Sequence, residues 1–180
     1  MANNDKVLVD VNTLSIFLVE DHPGHPFVAP ELEKGLKGQF VPLLLDILPI
    51  RAYWVMTRKW GCDKNQSEKA IRHFLDSYHT VEYVPVEKRI VHHAFDLARE
   101  LHHDVFDTVY LSAALHNKAN AIMTTDTGFQ NLCQRKSLNY LNPVPRSMLE
   151  KFAGWKPKSH FGVARGSGPF TVEDEMKGHV

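Results

Sequence analysis

Lys6-Val7-Leu8-Val9-Asp10 and Asn120-Ala121-Ile122-Met123-Thr124-Thr125-Asp126 decide how this chain folds. Each is a short apolar run closed by an aspartate. Apolar residues that follow one another without polar alternation suit strands buried on both faces, which occur in parallel sheets. The sequence between the two runs supports that reading. After Asp10, Asn12-Thr13 offers a helix cap and Leu14 to Glu20 a short helix. His22-Pro23-Gly24-His25-Pro26 is punctuated as a loop. Ala29 to Lys37 has helical spacing and stops at Gly38. Gln39 to Leu45 is apolar again, either a second strand or a strand passing directly into a helix. Ile47 to Trp60 predicts a helix ended by Gly61, with Pro49 tolerated only in its first turn.

Lys64 to Tyr78 is amphipathic, with Ala70, Ile71, Phe74, Leu75 and Tyr78 on one face. Thr80 to Val84 alternates as a strand does. Val86 to Leu101 and Val105 to about Lys118 read as helices, the second capped by Asp104. Beyond Asp126, Gly128 to Gln134 predicts a short helix and Leu138 to Leu141 a last strand. Strands that alternate with helices make βα units. The fold class is therefore α/β: a three-layer sandwich with a mainly parallel central sheet. The domain spans residues 1–145. After it, Pro157, Gly162, Gly166, Gly168 and Pro169 interrupt a stretch of little periodicity, so 146–180 reads as an extension too short to bury its own core.

The chain has 180 residues, which suits one domain, and 21 basic against 21 acidic side chains. A net charge of zero argues against a domain that holds nucleic acid mainly by bulk positive charge. It leaves room for an enzyme that meets phosphates through a metal ion and a local basic patch. Cys62 and Cys133 fit no ligand spacing, no secretory signal precedes the first strand, and no apolar run is long enough to cross a bilayer. A reduced, cytoplasmic protein is the expectation. The histidine pairs His92-His93 and His102-His103 read as solvated helix-face residues, and no HExxH, P-loop or GxGxxG is present.

In open parallel sheets, ligands bind beyond the carboxyl ends of the strands. Asp10 and Asp126 end strands, and Asp104 and Asp107 open the helix before the second of them, on one face of its first turn. Asp46 follows Val41 to Leu45 and is a fourth candidate at that edge. Each acid alone has a plainer reading, as an Asx turn, a cap or a favourable charge at a helix start. Together they repel one another, a cost that a bound cation removes. Oxygen ligands without His or Cys suit Mg²⁺ or Mn²⁺, which activates water and takes up charge on a phosphoryl oxygen. Metal-assisted phosphodiester hydrolysis is the chemistry this pattern fits best.

Three segments carry a family resemblance: Val7 to Leu14, His103 to Leu115, and Ile122 to Phe129. In order and spacing they resemble the PIN domain, a nuclease module of type II toxin ribonucleases and RNA-processing factors, over about the first 143 residues. The resemblance implies a metal-dependent endoribonuclease that hydrolyses RNA with Mg²⁺ or Mn²⁺. It further implies an antitoxin protein and a homodimer as partners. Asp10, Asp107 and Asp126 would be the metal-binding carboxylates, Asn12 and Thr124 or Thr125 their polar support, and Asp104 an accessory acid or a cap.

Two positions depart from the family pattern. The family places a glutamate early in the helix after the second strand. Here the counterpart is Asp46 on one alignment, which we favour, and Arg51 on the other. As a cation, Arg51 would clamp an RNA phosphate. Gly128 stands where many relatives have a second aspartate. Around Asp46, Tyr53-Trp54-Val55-Met56 reads as core or dimer packing before base stacking, and Arg58, Lys59, Lys64, Lys69 and Arg72 as a solvated face before an RNA track. A haloacid-dehalogenase-like phosphatase would need a second acid where Asn12 stands. The competing non-enzymatic reading is a catalytically degenerate PIN domain that binds RNA or acts as a scaffold.

Overall fold

β1 (Lys6–Val9) lies at the centre of the molecule because both of its faces are apolar, with Val7, Leu8 and Val9 all buried. The computed structural model describes residues 5–158. β1 pairs with β2 (Val41–Leu45) on one side and β4 (Ala121–Met123) on the other. β3 (Glu82–Val84) and β5 (Asn139–Leu141) complete a five-stranded sheet ordered β3-β2-β1-β4-β5, parallel at every pairing. The α/β sandwich read from the sequence is therefore the fold observed, and the sheet is wholly parallel.

The strand order fixes where the helices go. From β1 the chain steps outward to β2 and β3, then returns past β1 to β4 and β5. Crossovers between parallel strands are right-handed, so reversing direction moves the connecting helices to the opposite face. One set comprises α1 (Val11–Leu18), α2 (His25–Leu36), α3 (Leu48–Trp54) and α4 (Lys64–Ser77). The other comprises α5 (Lys88–Leu101), α6 (Val105–His116) and α7 (Phe129–Arg135). The main core gathers Leu8, Leu14, Leu43, Phe74, Leu97 and Phe129, and a smaller cluster of Val7, Ala121 and Met123 packs against Phe40. At about 25 cal/mol per Å² of apolar surface, burial of side chains this size is the main stabilising term.

Two elements depart from the sequence reading. α2 begins at His25, inside the segment whose Pro-Gly-His-Pro punctuation reads as a loop. Proline has no N–H to satisfy in a first helical turn and its fixed φ suits a helix, so Pro26 starts the helix. The helix that follows β2 does not run evenly to Trp60. α3 ends at Trp54 and Val55–Trp60 widens into a π-helical turn, closed by Gly61 in a left-handed conformation at φ 82°.

The first part of the extension packs onto the domain. α8 (Arg146–Leu149) and a 3₁₀ turn (Glu150–Phe152) bring Phe152 and Trp155 against His22, with ring centroids 4.6 Å away in both cases. Trp60 flanks the same imidazole at 4.7 Å, and Lys156 Nζ donates to the Lys59 carbonyl at 2.9 Å. Residues 159–180, and with them the Gly162, Gly166, Gly168 and Pro169 that interrupt the extension in the sequence, lie outside the described residues. No helix among the described residues is long and apolar enough to cross a membrane.

Candidate functional site

The reversal of direction in the sheet leaves a crevice between the carboxyl ends of β1 and β4, the place where open α/β sheets take ligands. Asp10 and Thr124 leave those two strand ends, and Asp10 N–H still donates across the gap to the Met123 carbonyl at 3.1 Å. Asp10 is the N-cap of α1. Its extended backbone aims the carboxylate back over the helix start, where Oδ1 accepts from Thr13 N–H at 2.7 Å. Oδ2 accepts from the Thr124 hydroxyl, and that hydroxyl oxygen in turn accepts from Asp126 N–H at 3.0 Å. One threonine side chain thus ties the β1 acid to the backbone of the β4 acid. Thr13 closes the link from the other side, its hydroxyl donating to the Met123 carbonyl at 3.1 Å.

The charge of Asp126 reaches both of the other acids read from the sequence. Asp10 is 3% exposed, and burial pushes its carboxyl up to about 6. The charge of Asp126 adds to that rise, while the hydrogen bonds from Thr124 and Thr13 oppose it. Asp107, in the first turn of α6, is raised by burial and then by Asp126 and Asp104, with His103 opposing. His103 Nδ1 stands 3.3 Å from Asp107 Oδ2 without the geometry of a hydrogen bond. One turn on, burial holds the Tyr110 hydroxyl above its ordinary range. Asp10 and Asp107 reinforce that effect and Arg51 counters it, which puts all three charges around one phenol.

The other candidates separate. Asp104 caps α6, accepting from Phe106 N–H at 2.7 Å. Asp126 Oδ1 also accepts from Gly128 N–H at 2.8 Å, so the turn and the site share one carboxylate. A side chain on Gly128 would place its first carbon 3.1 Å from that same oxygen, so the carboxylate would have to yield by a few tenths of an ångström. Thr124 is the threonine that holds Asp10. Thr125 is buried, Asn12 is half-buried, and neither joins the hydrogen bonds that fix Asp10 and Asp126. Asp46 is exposed in the turn after β2, where its N–H donates to the Val84 carbonyl at 2.9 Å. It is not among the charges that shift Asp10, Asp107 or Tyr110. Arg51 extends from α3 over the Phe106 ring, 5.8 Å from its centroid, and is the α3 charge that reaches the site.

By donor type the site fits a hard divalent cation, being built of carboxylate and hydroxyl oxygens. By spacing it is open. Among the described residues, no group of three His, Cys, Asp or Glu side chains stands close enough to hold a metal ion between them. Mg²⁺ commonly keeps several waters and takes only one or two carboxylates directly, so an open set is compatible with it.

Thr13, Tyr110 and His103 were not legible as site residues. Thr13 resembles any helix-start threonine, and the other two are drawn to the acids only by packing. Cys62 and Cys133 are buried thiols, each pushed up to about 11 by burial, and are inert as nucleophiles.

Known structures repeat this architecture. VapBC2 from Rickettsia felis, bound to a DNA fragment from its promoter, superposes with a TM-score of 0.58 at 15% identity, covering 76% of this chain and 98% of that one. VapC20 of Mycobacterium tuberculosis, a toxin that cleaves the sarcin-ricin loop, gives 0.57 at 12%, covering 70% and 94%. FitAB bound to a DNA fragment gives 0.55 at 16%, covering 76% and 94%. At these identities the likeness is one of fold. No curated protein sequence matches the chain. The PIN domain family model matches residues 7–134, from the first residues of β1 to the end of α7, and the chain belongs to the PIN domain family.

Proposed function

We propose that the protein is a metal-dependent endoribonuclease, working at the crevice between β1 and β4, and the toxin of a toxin–antitoxin pair. The observation that carries the reading is the bridge from Asp10 through the Thr124 hydroxyl to Asp126, with Asp107 of the facing helix raised by burial and then by the charge of Asp126. Asp10, Asp107 and Asp126 would hold Mg²⁺ or Mn²⁺. A bound ion of this kind supplies an activated water and takes up charge on the phosphoryl oxygen. The chain's own groups set the stage for it. Thr124 and Thr13 fix the rotamer of Asp10, and Asp104 adds negative charge beside Asp107. Arg51, exposed and anchored over Phe106, is placed to pair with a substrate phosphate. The toxin assignment is supported by the likeness in fold to a toxin–antitoxin complex from Klebsiella pneumoniae and to the toxin VapC20. An antitoxin would lay a basic side chain into the acidic crevice.

Two observations favour a second reading. The helix after β2 turns an arginine toward the site, not a carboxylate, and the acids do not close around a point. A degenerate PIN domain that binds RNA without cutting it would look the same. The two are separated by incubating the protein with single-stranded and structured RNA in Mn²⁺, Mg²⁺ or EDTA, beside Asp10→Asn. Cleavage that needs the metal and vanishes in the variant supports the nuclease. Binding without cleavage under every metal supports the degenerate domain.

A further inference from the structure

Beside the acidic crevice, between α7 and the loop joining β5 to α8, is an open-sided cavity of about 390 Å³. Thr127, the residue after Asp126, lines its near wall, and Val144 gives it an apolar side. Its polar groups are Gln130 from α7, Tyr140 and Asn142 from the end of β5, and Arg146 from the start of α8. The charges of Asp126 and Asp10 both reach the Tyr140 hydroxyl, so the cavity opens within electrostatic range of the site.

Its groups are arranged unevenly. Asn142 is committed to structure: Nδ2 donates to the Tyr140 hydroxyl at 3.0 Å and Oδ1 accepts from Val144 N–H at 3.0 Å. That pair is a rigid floor. Gln130 and Arg146 are exposed, and neither side chain has a hydrogen-bond or ion-pair partner among the described residues. A cation left unpaired next to an acidic crevice, an amide offering both donor and acceptor, and an apolar wall match three parts of one ligand. The guanidinium suits a phosphate, the amide suits the edge of a base, and the wall suits its face.

We propose that this cavity receives the nucleotide flanking the scissile phosphate, with Arg146 on the next backbone phosphate and Gln130 reading the base. The proposal rests on the nuclease reading and sharpens it, because it places sequence preference outside the acidic site. A peptide carboxylate would also satisfy Arg146, but it would leave the amide and the apolar wall without a planar partner.

The test uses two substitutions, Gln130→Ala and Arg146→Ala, at exposed positions whose side chains make no hydrogen bond or ion pair among the described residues. Cleavage sites are mapped on a randomised RNA pool, and fluorescein-labelled single-stranded RNA is titrated into the Asp10→Asn background by anisotropy. Arg146→Ala should weaken RNA binding about tenfold and flatten its dependence on salt, raising KM far more than it lowers kcat. Gln130→Ala should relax the base preference at one position next to the cut. If the unmodified chain cleaves and both variants keep its map, KM and affinity, the cavity proposal is wrong and the nuclease stands. If nothing is cleaved yet Arg146→Ala still weakens binding, the nuclease fails and the cavity stands as an RNA subsite. RNA binding unchanged by Arg146→Ala, with loss of affinity for acidic peptides instead, would assign the cavity to a protein partner and overturn the proposal.

Discussion

Asp10 and His22 are both buried ionisable groups, and the molecule treats them in opposite ways. Asp10 is 3% exposed and His22 2%. Burial disfavours the charged form of each, so the carboxyl is pushed up to about 6 and the imidazole down to about 4. Their surroundings then diverge. Asp10 is met by a hydroxyl and an amide that stabilise its charge, with a second acid nearby that opposes it. His22 is enclosed by Trp60, Phe152 and Trp155, and its Nδ1 accepts from Gly24 N–H at 3.0 Å, which fixes the neutral tautomer. The difference separates a site that retains unfavourable charge from a clasp that removes it. Unfavourable charge that folding alone would not select marks the Asp10 crevice as the candidate functional site.

Substitution at Asp10 should give the largest contrast. We expect Asp10→Asn to lower RNA cleavage on the order of 1000-fold, comparable to removing a key electrostatic group in other enzymes. Without metal at neutral pH it should leave the melting temperature unchanged or raised, because a buried charge has been removed. A matching fall in stability would mean that Asp10 is a structural cap first.

The pH dependence of stability comes next. For Asp10 the folded value lies above the unfolded one, so its contribution is full below about 3.8 and is lost as pH rises through about 6. For His22 the folded value lies below the unfolded one, so its contribution is full above about 6.5 and is lost as pH falls through about 4. Each amounts to about 3 kcal/mol, and the windows overlap with opposite slopes. In EDTA the unmodified chain should therefore show a shallow profile between pH 4 and 6.5. Asp10→Asn should expose the His22 slope, with stability falling toward acid. His22→Gln should expose the Asp10 slope, with stability rising toward acid. Denaturant titrations across this range check both, and parallel profiles in the two variants would break the comparison.

Two smaller effects test the supports. Trp155→Ala opens the clasp from the extension side and should cost about 2 kcal/mol, less than a fully buried tryptophan because the ring is half-buried. The His22 imidazole should then titrate closer to its ordinary value by NMR, with cleavage unaffected. Thr124→Val removes the hydroxyl that joins Asp10 to Asp126 and should lower cleavage about tenfold at saturating metal, as loss of a group that orients a metal ligand does. No change in rate would reduce Thr124 to a packing role.

The same contrast explains what could be read in the sequence. The sheet was legible because Val7-Leu8-Val9 and Ala121-Ile122-Met123 leave no polar face to turn outward. Asp10, Asp107 and Asp126 were legible as acids because strand ends and first helical turns are defined by local pattern. Whether Asp46 or Arg51 faced the site was not, since it depends on how α3 is rotated about its axis, which packing of Leu48, Ala52, Val55 and Met56 sets. The start of α2 was hidden because the same Pro-Gly-His-Pro residues punctuate loops and begin helices. The His22 clasp was hidden for a different reason. Its partners come from positions 60, 152 and 155, and no local pattern reports a contact made across such separations.

The most direct measurement is Mn²⁺ binding by electron paramagnetic resonance on the unmodified chain, Asp126→Asn and Asp46→Asn. The account expects Mn²⁺ to bind the unmodified chain and Asp46→Asn alike, and to bind Asp126→Asn at least about tenfold more weakly. Binding that survives in Asp126→Asn, or is lost only in Asp46→Asn, would contradict a metal site built from Asp10, Asp107 and Asp126.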